Sequence, residues 1–271
     1  PSLIVFSQNP DTTYWKIGGV TSFTLSQTQF KYWSAGGENS AVFNGIFNVH
    51  ANYLKDKTSW QNTLDMGYGM QKTVNKPFRK TDDKIDFSSK FGYKAVNNFY
   101  YSGLLNFKTQ FTGGYEYLDS GDSNMVSTFM APAYLLYSVG IDYISDKDFS
   151  IYTSPLTGKT TFVGDETLSS IGAFGIDSGK VARYEFGAYI KMEMNKKITP
   201  NLTINAKAGF FSNYLKDPQN IDVNIDLLAS FKVTKFIAVN LSAQTIYDHD
   251  ILVLVNPDTG YRGRRLQIKQ L

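Results

Sequence analysis

Strict alternation of apolar and polar residues is the feature that most limits what this chain can fold into. Residues 43–53 show the pattern, with Phe43 and Phe47 on one face and Asn44 and Asn48 on the other. Successive side chains of a strand leave opposite faces of the pleat, so a period of two predicts β-structure. About a dozen such runs of roughly ten residues follow one another, which is the length that crosses a hydrocarbon layer in a tilted strand. We therefore predict an all-β fold, a closed antiparallel transmembrane β-barrel of about twelve strands.

Composition fits this prediction and excludes other classes. No Pro- or Ser-rich linker divides the 271 residues, so residues 8–271 are predicted to form a single barrel domain. A helical membrane protein is excluded, because no apolar run is long enough to span a bilayer. The net charge of +3 is spread out without a basic stripe, which makes nucleic acid an unexpected partner. No cofactor is expected.

The sequence also predicts features of the two ends of the chain. Residues 1–7 resemble the end of a secretory signal peptide, with Val5 and Ser7 at the positions that precede cleavage before Gln8. A short buried β-segment is the alternative. At the other end, residues 267–271 stop short of the aromatic-ended strand with which outer-membrane barrels usually finish. We therefore expect the last strand to be truncated, and an unusual last strand is the alternative.

The connections between the runs alternate in length. Those after even-numbered strands are tight, as at residues 56–58 and 96–98, whereas most of those after odd-numbered strands are long, as at 113–130 and 156–179. Short periplasmic turns and longer extracellular loops give this asymmetry in outer-membrane barrels. It also predicts an even number of strands, with both termini in the periplasm.

The orientation of the two faces separates a membrane barrel from a soluble one. A lipocalin-like barrel or a soluble β-sandwich has the same alternation but buries its apolar face. In the membrane alternative, the apolar face meets lipid and the polar face lines the lumen. Phe186 and Leu227 should then be exposed on the outside of the sheet.

Several stretches resemble a family of outer-membrane barrels that is catalogued only as a domain of unknown function. They are SQTQFKYWSAGGENS (26–40), KTDDKIDFSSKFGYK (80–94), YYSGLLNFKTQFTGGY (100–115), FMAPAY (129–134), SPLTGKTTFV (154–163) and YDHD (247–250). Together they cover nearly the whole chain, although each is weak alone. The resemblance implies the barrel fold and the outer-membrane location, and it implies no activity.

Charged residues on the polar face predict the character of the lumen. The signs nearly balance in the network, which comprises Asp65, Asp86, Lys90, Lys108, Arg183, Glu185, Lys191, Glu193, Lys207 and Asp226. Opposite charges that face each other across a narrow barrel tend to pair, whereas an ion-selective pore shows a ring of one sign. We therefore predict a largely occluded lumen.

Acidic residues near the ends of strands are the candidates for chemistry at the rim. Asp248 and His249 are the candidate catalytic pair of an omptin-like hydrolase, which also needs an opposing acidic pair such as Asp82 and Asp83. Asp82, Asp83, Asp248 and Asp250 are alternatively candidate ligands for a divalent cation. Acidic residues on a solvated rim also occur without either role.

A second motif imitates a nucleotide-binding loop. Gly158-Lys159-Thr160 has the ending of a P-loop, but Thr153 occupies the place of the required first glycine and no helix follows. The segment is therefore predicted to be a solvated loop.

Taken together, these features predict a non-enzymatic barrel in the outer membrane of a Gram-negative bacterium. It would act through its loops and rim as a subunit or accessory of a larger envelope complex, with outer-membrane lipids and other envelope proteins as partners. A narrow channel for small solutes is the alternative, and an omptin-like rim hydrolase is a remote one.

Overall fold

The computed structural model describes residues 14–117, 122–145, 148–234, 237–256 and 259–270. The predicted signal-peptide segment 1–7 lies outside these residues, as does Leu271. No helix in the described part of the chain is long and apolar enough to cross a membrane.

Within the described residues, twelve strands form one antiparallel sheet, as the sequence predicted. In order across the sheet they are β1 (Trp15–Thr28), β2 (Ser40–Lys55), β3 (Thr58–Thr73), β4 (Arg79–Val96), β5 (Phe99–Thr109), β8 (Ala133–Ser145), β9 (Phe149–Phe162), β10 (Ala182–Thr199), β11 (Leu202–Asn213), β12 (Ile221–Lys232), β13 (Ala238–Tyr247) and β16 (Gln267–Gln270). Each strand pairs with the next one in this order, which is the pattern of a meander.

Smaller elements lie in three of the long connections. Strands β6 (Gly114–Tyr117) and β7 (Ser123–Ser127) form one hairpin, and β14 (Val253–Asn256) and β15 (Tyr261–Gly263) form another. The connection between β9 and β10 holds the short helix α1 (Glu166–Ser170), which Asp165 caps by accepting a hydrogen bond from the backbone N–H of Leu168.

The two ends of the sheet differ in their connections. Two-residue turns join β2 to β3 and β4 to β5, and Asp56 (φ 51°) and Asn97 (φ 50°) take the left-handed conformation that Asp and Asn tolerate there. We name this the short-turn end. The connections that hold the two hairpins and α1 lie at the opposite end, named here the long-loop end.

The long connections pack into a small apolar core of their own. Ala131, Val163, Leu168 and Ile176 are buried together, and Met125 lies against them. Since Leu168 is on α1 and Met125 on β7, this core joins the β9–β10 connection to the β6–β7 hairpin. The connections at the long-loop end are therefore folded structures.

The sheet curls back on itself. The ammonium of Lys269 on β16 lies 2.6 Å from a carboxylate oxygen of Asp82 on β4, although β16 stands eight places away from β4 in the strand order. In a flat sheet, eight inter-strand spacings would separate these strands by about 38 Å. Among the described residues, β1 pairs only with β2 and β16 only with β13.

Two predictions about residues 149–163 were wrong. The long connection predicted to begin at residue 156 begins only after Phe162, since β9 has 14 residues and reaches Phe162. Consequently Gly158-Lys159-Thr160 is not in a solvated loop but inside β9, paired with β8 and β10. Threonines at 157, 160 and 161 are buried, and β-branched residues of this kind suit a strand packed on both sides.

Candidate functional site: the charged interior of the sheet

A cavity of about 890 Å³ lies inside the curled sheet, near the long-loop end. Its walls come from both halves of the strand order, from Tyr68 on β3 through Lys159 on β9 to Lys269 on β16. Its lining combines tyrosine and phenylalanine rings with charged and amide side chains. This mixture of aromatic surface and a few polar groups is common in small-molecule sites, and the volume is within their usual range.

Lys159 is the centre of a buried ionic cluster in the cavity wall. Its ammonium lies 2.6 Å from a carboxylate oxygen of Asp222, 3.3 Å from one of Asp248 and 3.5 Å from one of Glu185. These carboxylates come from β12, from the residue after β13 and from β10, so a single lysine joins three walls of the interior. Burying such a cluster is favourable only because the charges face each other.

Arg183 continues this cluster toward the long-loop end. Its guanidinium contacts Glu185 at 3.0 Å and Asp250 at 2.8 Å, and Lys216 reaches Asp250 from the other side at 3.2 Å. Partial burial opposes ionisation of Asp250, but the positive charges of Arg183 and Lys216 outweigh it and hold the pKa of this carboxyl below its usual range. Asp250 is therefore an anion that ties the connection after β13 to the wall of the sheet.

A second buried layer lies nearer the short-turn end. Lys90 on β4 and Asp142 on β8 form an ion pair of 2.5 Å, and both side chains are buried. Beside them the hydroxyls of Ser138 and Tyr152 are 2.8 Å apart and also buried. This layer places two pairs of polar side chains in the interior between β4 and β9.

Between the two layers, one carboxylate faces two lysines. The ammonium groups of Lys108 and Lys84 lie 3.5 and 3.9 Å from Asp86, which also accepts a hydrogen bond from the side chain of Asn106 at 2.7 Å. Lys84, Lys108 and Asn106 all line the cavity. This part of the interior therefore carries more positive than negative charge.

The other predicted members of the charge network lie in the same sheet and make contacts outside these layers. Lys191 contacts Glu193 at 3.0 Å, Asp65 accepts a hydrogen bond from Asn48, and Lys207 stands opposite Asp226 in the β11–β12 register. Asp142, Asp222 and Lys159 also belong to the ionic layers, and Lys159 is the one that the sequence predicted to lie in a loop.

The predicted rim residues lie in different environments, and Asp82, Asp83 and Asp248 are the ones that line the cavity. The carboxylate of Asp248 contacts Lys159, whereas the ring of His249 lies 3.2 Å from the hydroxyl of Tyr247. Across the cavity, Asp82 contacts Lys269, and Asp83 contacts Lys80 at 2.8 Å. In the described ranges, no three His, Cys, Asp or Glu residues are grouped so as to hold a metal ion.

Sequence reasoning missed Lys159 because its neighbours imitate a P-loop. A signal was nevertheless present, because Thr157, Lys159 and Thr161 alternate with Leu156, Gly158 and Thr160. A register shift between Ser154 and Thr157 separates this alternation from that of the preceding run. Read as a strand, this segment places Lys159 on the polar face with the other charges.

Comparison with known proteins gives one match and two negative results. Residues 25–115 match the model of a family described as "Protein of unknown function (DUF3078)". This range includes all of the stretches 26–40, 80–94 and 100–115, while the three later stretches of the resemblance lie outside it. Neither the curated proteins nor the solved structures contain a significant match to the chain. The predicted resemblance to a family of unknown function is thus confirmed, over the segment that runs from the end of β1 into β6.

Proposed function

We propose that the twelve-stranded sheet is a closed transmembrane β-barrel in the outer membrane of a Gram-negative bacterium. The lumen of this barrel is blocked by ion-paired side chains, and the cavity is open to solvent at the long-loop end. In this proposal the protein is not an enzyme, and it acts through its cavity and loops within the cell envelope.

The inverted placement of the two faces carries the proposal. Phe186 and Leu227 are each 41% exposed, whereas the charged side chains of Lys90 and Asp142 are only 7% and 2% exposed as whole residues. A soluble β-protein buries its apolar residues instead, because exposed apolar surface costs roughly 25 cal/mol per Å² in water. A hydrocarbon solvent around the outside of the sheet removes that cost.

Closure of the sheet is supported by contacts across its interior. The Lys269–Asp82 ion pair brings the last strand of the order near β4, and the cavity has walls on both sides of the lumen. A sheet in lipid must also satisfy its edge N–H and C=O groups internally, and only closure achieves that. Both arguments favour a barrel over an open sheet.

The blocked lumen is supported by the two ionic layers. Lys159 is bound by three carboxylates, and Lys90 and Asp142 neutralise each other, so conduction would require separation of buried charges. Separating such pairs without water is expensive. We therefore favour a non-conducting barrel over a narrow channel.

The proposal that the protein is not an enzyme rests on the environment of the rim pair. In an Asp–His pair, the histidine acts as the general base and the carboxylate orients its ring. The carboxylate of Asp248 contacts Lys159 instead of a histidine. The His249 ring contacts Tyr247 instead.

Membrane location is tested by fractionation. We expect the full-length protein to sediment with outer membranes, to resist extraction by alkaline carbonate and to dissolve in mild detergent. Folded barrels usually migrate differently in electrophoresis before and after boiling, which reports folding in the same samples. Recovery of folded protein from the aqueous fraction without detergent would contradict the proposal.

Planar-bilayer recordings test the blocked lumen. The wild-type protein should give no steady open current. Replacing Lys90, Asp142 and Lys159 together with serine should remove ion pairs from both layers and raise the frequency of open events at least tenfold. Lys94→Ser, an exposed change on the same strand, is the matched control and should stay closed. Steady wild-type currents would instead support the narrow channel.

A further inference from the structure

The cavity at the long-loop end contains two ammonium groups whose shared carboxylate does not fully engage them. A hydrogen bond between an ammonium and a carboxylate usually spans about 2.7–2.9 Å. Lys108 and Lys84 stay 3.5 and 3.9 Å from Asp86, while Asp86 accepts a shorter hydrogen bond from Asn106. Both lysine side chains are more than a third exposed, in contrast to the nearly buried Lys159.

The other lysines of the cavity wall are bound more closely. Lys80 lies 2.8 Å from Asp83, Lys269 lies 2.6 Å from Asp82 and Lys159 lies 2.6 Å from Asp222. These pairs hold the wall together and offer little charge to a ligand. The unbalanced positive charge is therefore concentrated at Lys84 and Lys108.

Aromatic rings stand above these lysines. Phe78 and Tyr115 line the same cavity and are at least half exposed. Phe78 precedes the start of β4, whereas Lys84 lies farther along that strand, toward the short-turn end. A molecule that enters from the long-loop end would thus meet rings first and ammonium groups below.

We propose that this cavity binds a small soluble organic anion with a ring-shaped body, its carboxylate or phosphate group contacting Lys84 and Lys108 and its ring contacting the aromatic wall. The volume of about 890 Å³ admits one molecule of this size. Because the lysines lie inside the curled sheet, opposite the exposed apolar face, the ligand reaches them from water and not from lipid. The inference rests on the proposed function, in which the long-loop end is open.

Equilibrium dialysis with full-length protein in nanodiscs of phosphatidylcholine tests this assignment. The probe is 4-nitrophenyl phosphate, the neutral comparison is 4-nitrophenyl β-D-glucopyranoside, and empty nanodiscs supply the blank. We expect saturable binding of the phosphate at about one molecule per protein, at least tenfold tighter than that of the glucoside. The double variant Lys84→Gln/Lys108→Gln should weaken phosphate binding at least tenfold.

Two further variants make the outcome decisive. Lys94→Gln changes a lysine on the same strand as Lys84 but outside the cavity lining, and it should bind as the wild type does. The double variant Lys84→Arg/Lys108→Arg keeps both positive charges and should retain binding. If the double glutamine variant fails to fold, the single variant Lys84→Gln takes its place and is compared with the double arginine variant. Absent wild-type binding, equal binding of the glucoside, or unchanged binding by the glutamine variants would overturn the assignment. A folded, non-conducting barrel that fails this test would leave the proposed function standing.

Discussion

Replacing Lys159 with methionine is expected to lower the free energy of unfolding by about 3–5 kcal/mol, because it removes one partner of a buried charge cluster. The substitution keeps much of the side-chain volume but leaves the carboxylates of Asp222, Asp248 and Glu185 without the ammonium between them. Unfolding by urea in lipid vesicles, followed by tryptophan fluorescence, measures the loss.

A compensating variant separates lost charge pairing from lost packing. Adding Asp222→Asn and Asp248→Asn to Lys159→Met removes most of the unpaired negative charge, so the combined variant should recover a large part of the lost stability. Lys94→Met, at an exposed lysine of β4, is the matched control and should change stability by less than about 0.5 kcal/mol. A loss below about 1 kcal/mol for Lys159→Met would show that the cluster does not stabilise the fold.

Gly140→Ala is expected to destabilise the sheet by about 1–3 kcal/mol, since the added methyl group has no room. A Cβ at Gly140 would lie 2.8 Å from the Cα of Ser154 and even closer to the carbonyl oxygen of Thr153. Backbone atoms of a paired strand cannot move aside as a flexible side chain can. The register of β8 and β9 shifts at this point, which brings the two backbones together.

Gly103→Ala provides the control for this substitution. Gly103 is also inside a strand, and its nearest neighbour to an added Cβ is the carbonyl oxygen of Ser138 at 3.8 Å, an ordinary contact. The free energy of unfolding of Gly103→Ala, measured by the same unfolding experiment, should equal or slightly exceed that of the wild type, because alanine has less conformational freedom to lose than glycine. Equal losses for both variants would contradict the steric explanation.

The period-two pattern alone predicts most of the sheet. Long alternating runs such as those in β2 and β10 need no tertiary information, since their residues present one apolar and one polar face in any pairing. Glu185 and Lys191 were accordingly placed on the polar face, where they make ion pairs. The alternation failed as a guide where Ser and Thr occupy both faces, as in β9, because these residues are polar enough to suggest a loop.

The partners of each charge could not be predicted in this way. Lys159 and Asp248 are 89 positions apart in the chain, yet their charged groups lie 3.3 Å apart. The same holds for Asp82 and Lys269, which meet only because the sheet curls. Sequence periodicity reports which face a side chain occupies, but it carries no information about which residues face each other across an interior.

The sequence by itself determined that this chain forms long antiparallel strands with one apolar and one charged face, because side-chain alternation is a local property of the backbone. The tertiary structure alone decided that the charged face lies on the inside of the curled sheet, that Lys159 joins three walls, and that Lys84 and Lys108 share one carboxylate beside a cavity. These facts depend on the curvature of the sheet and the stagger of its strands, which arise from many distant contacts at once.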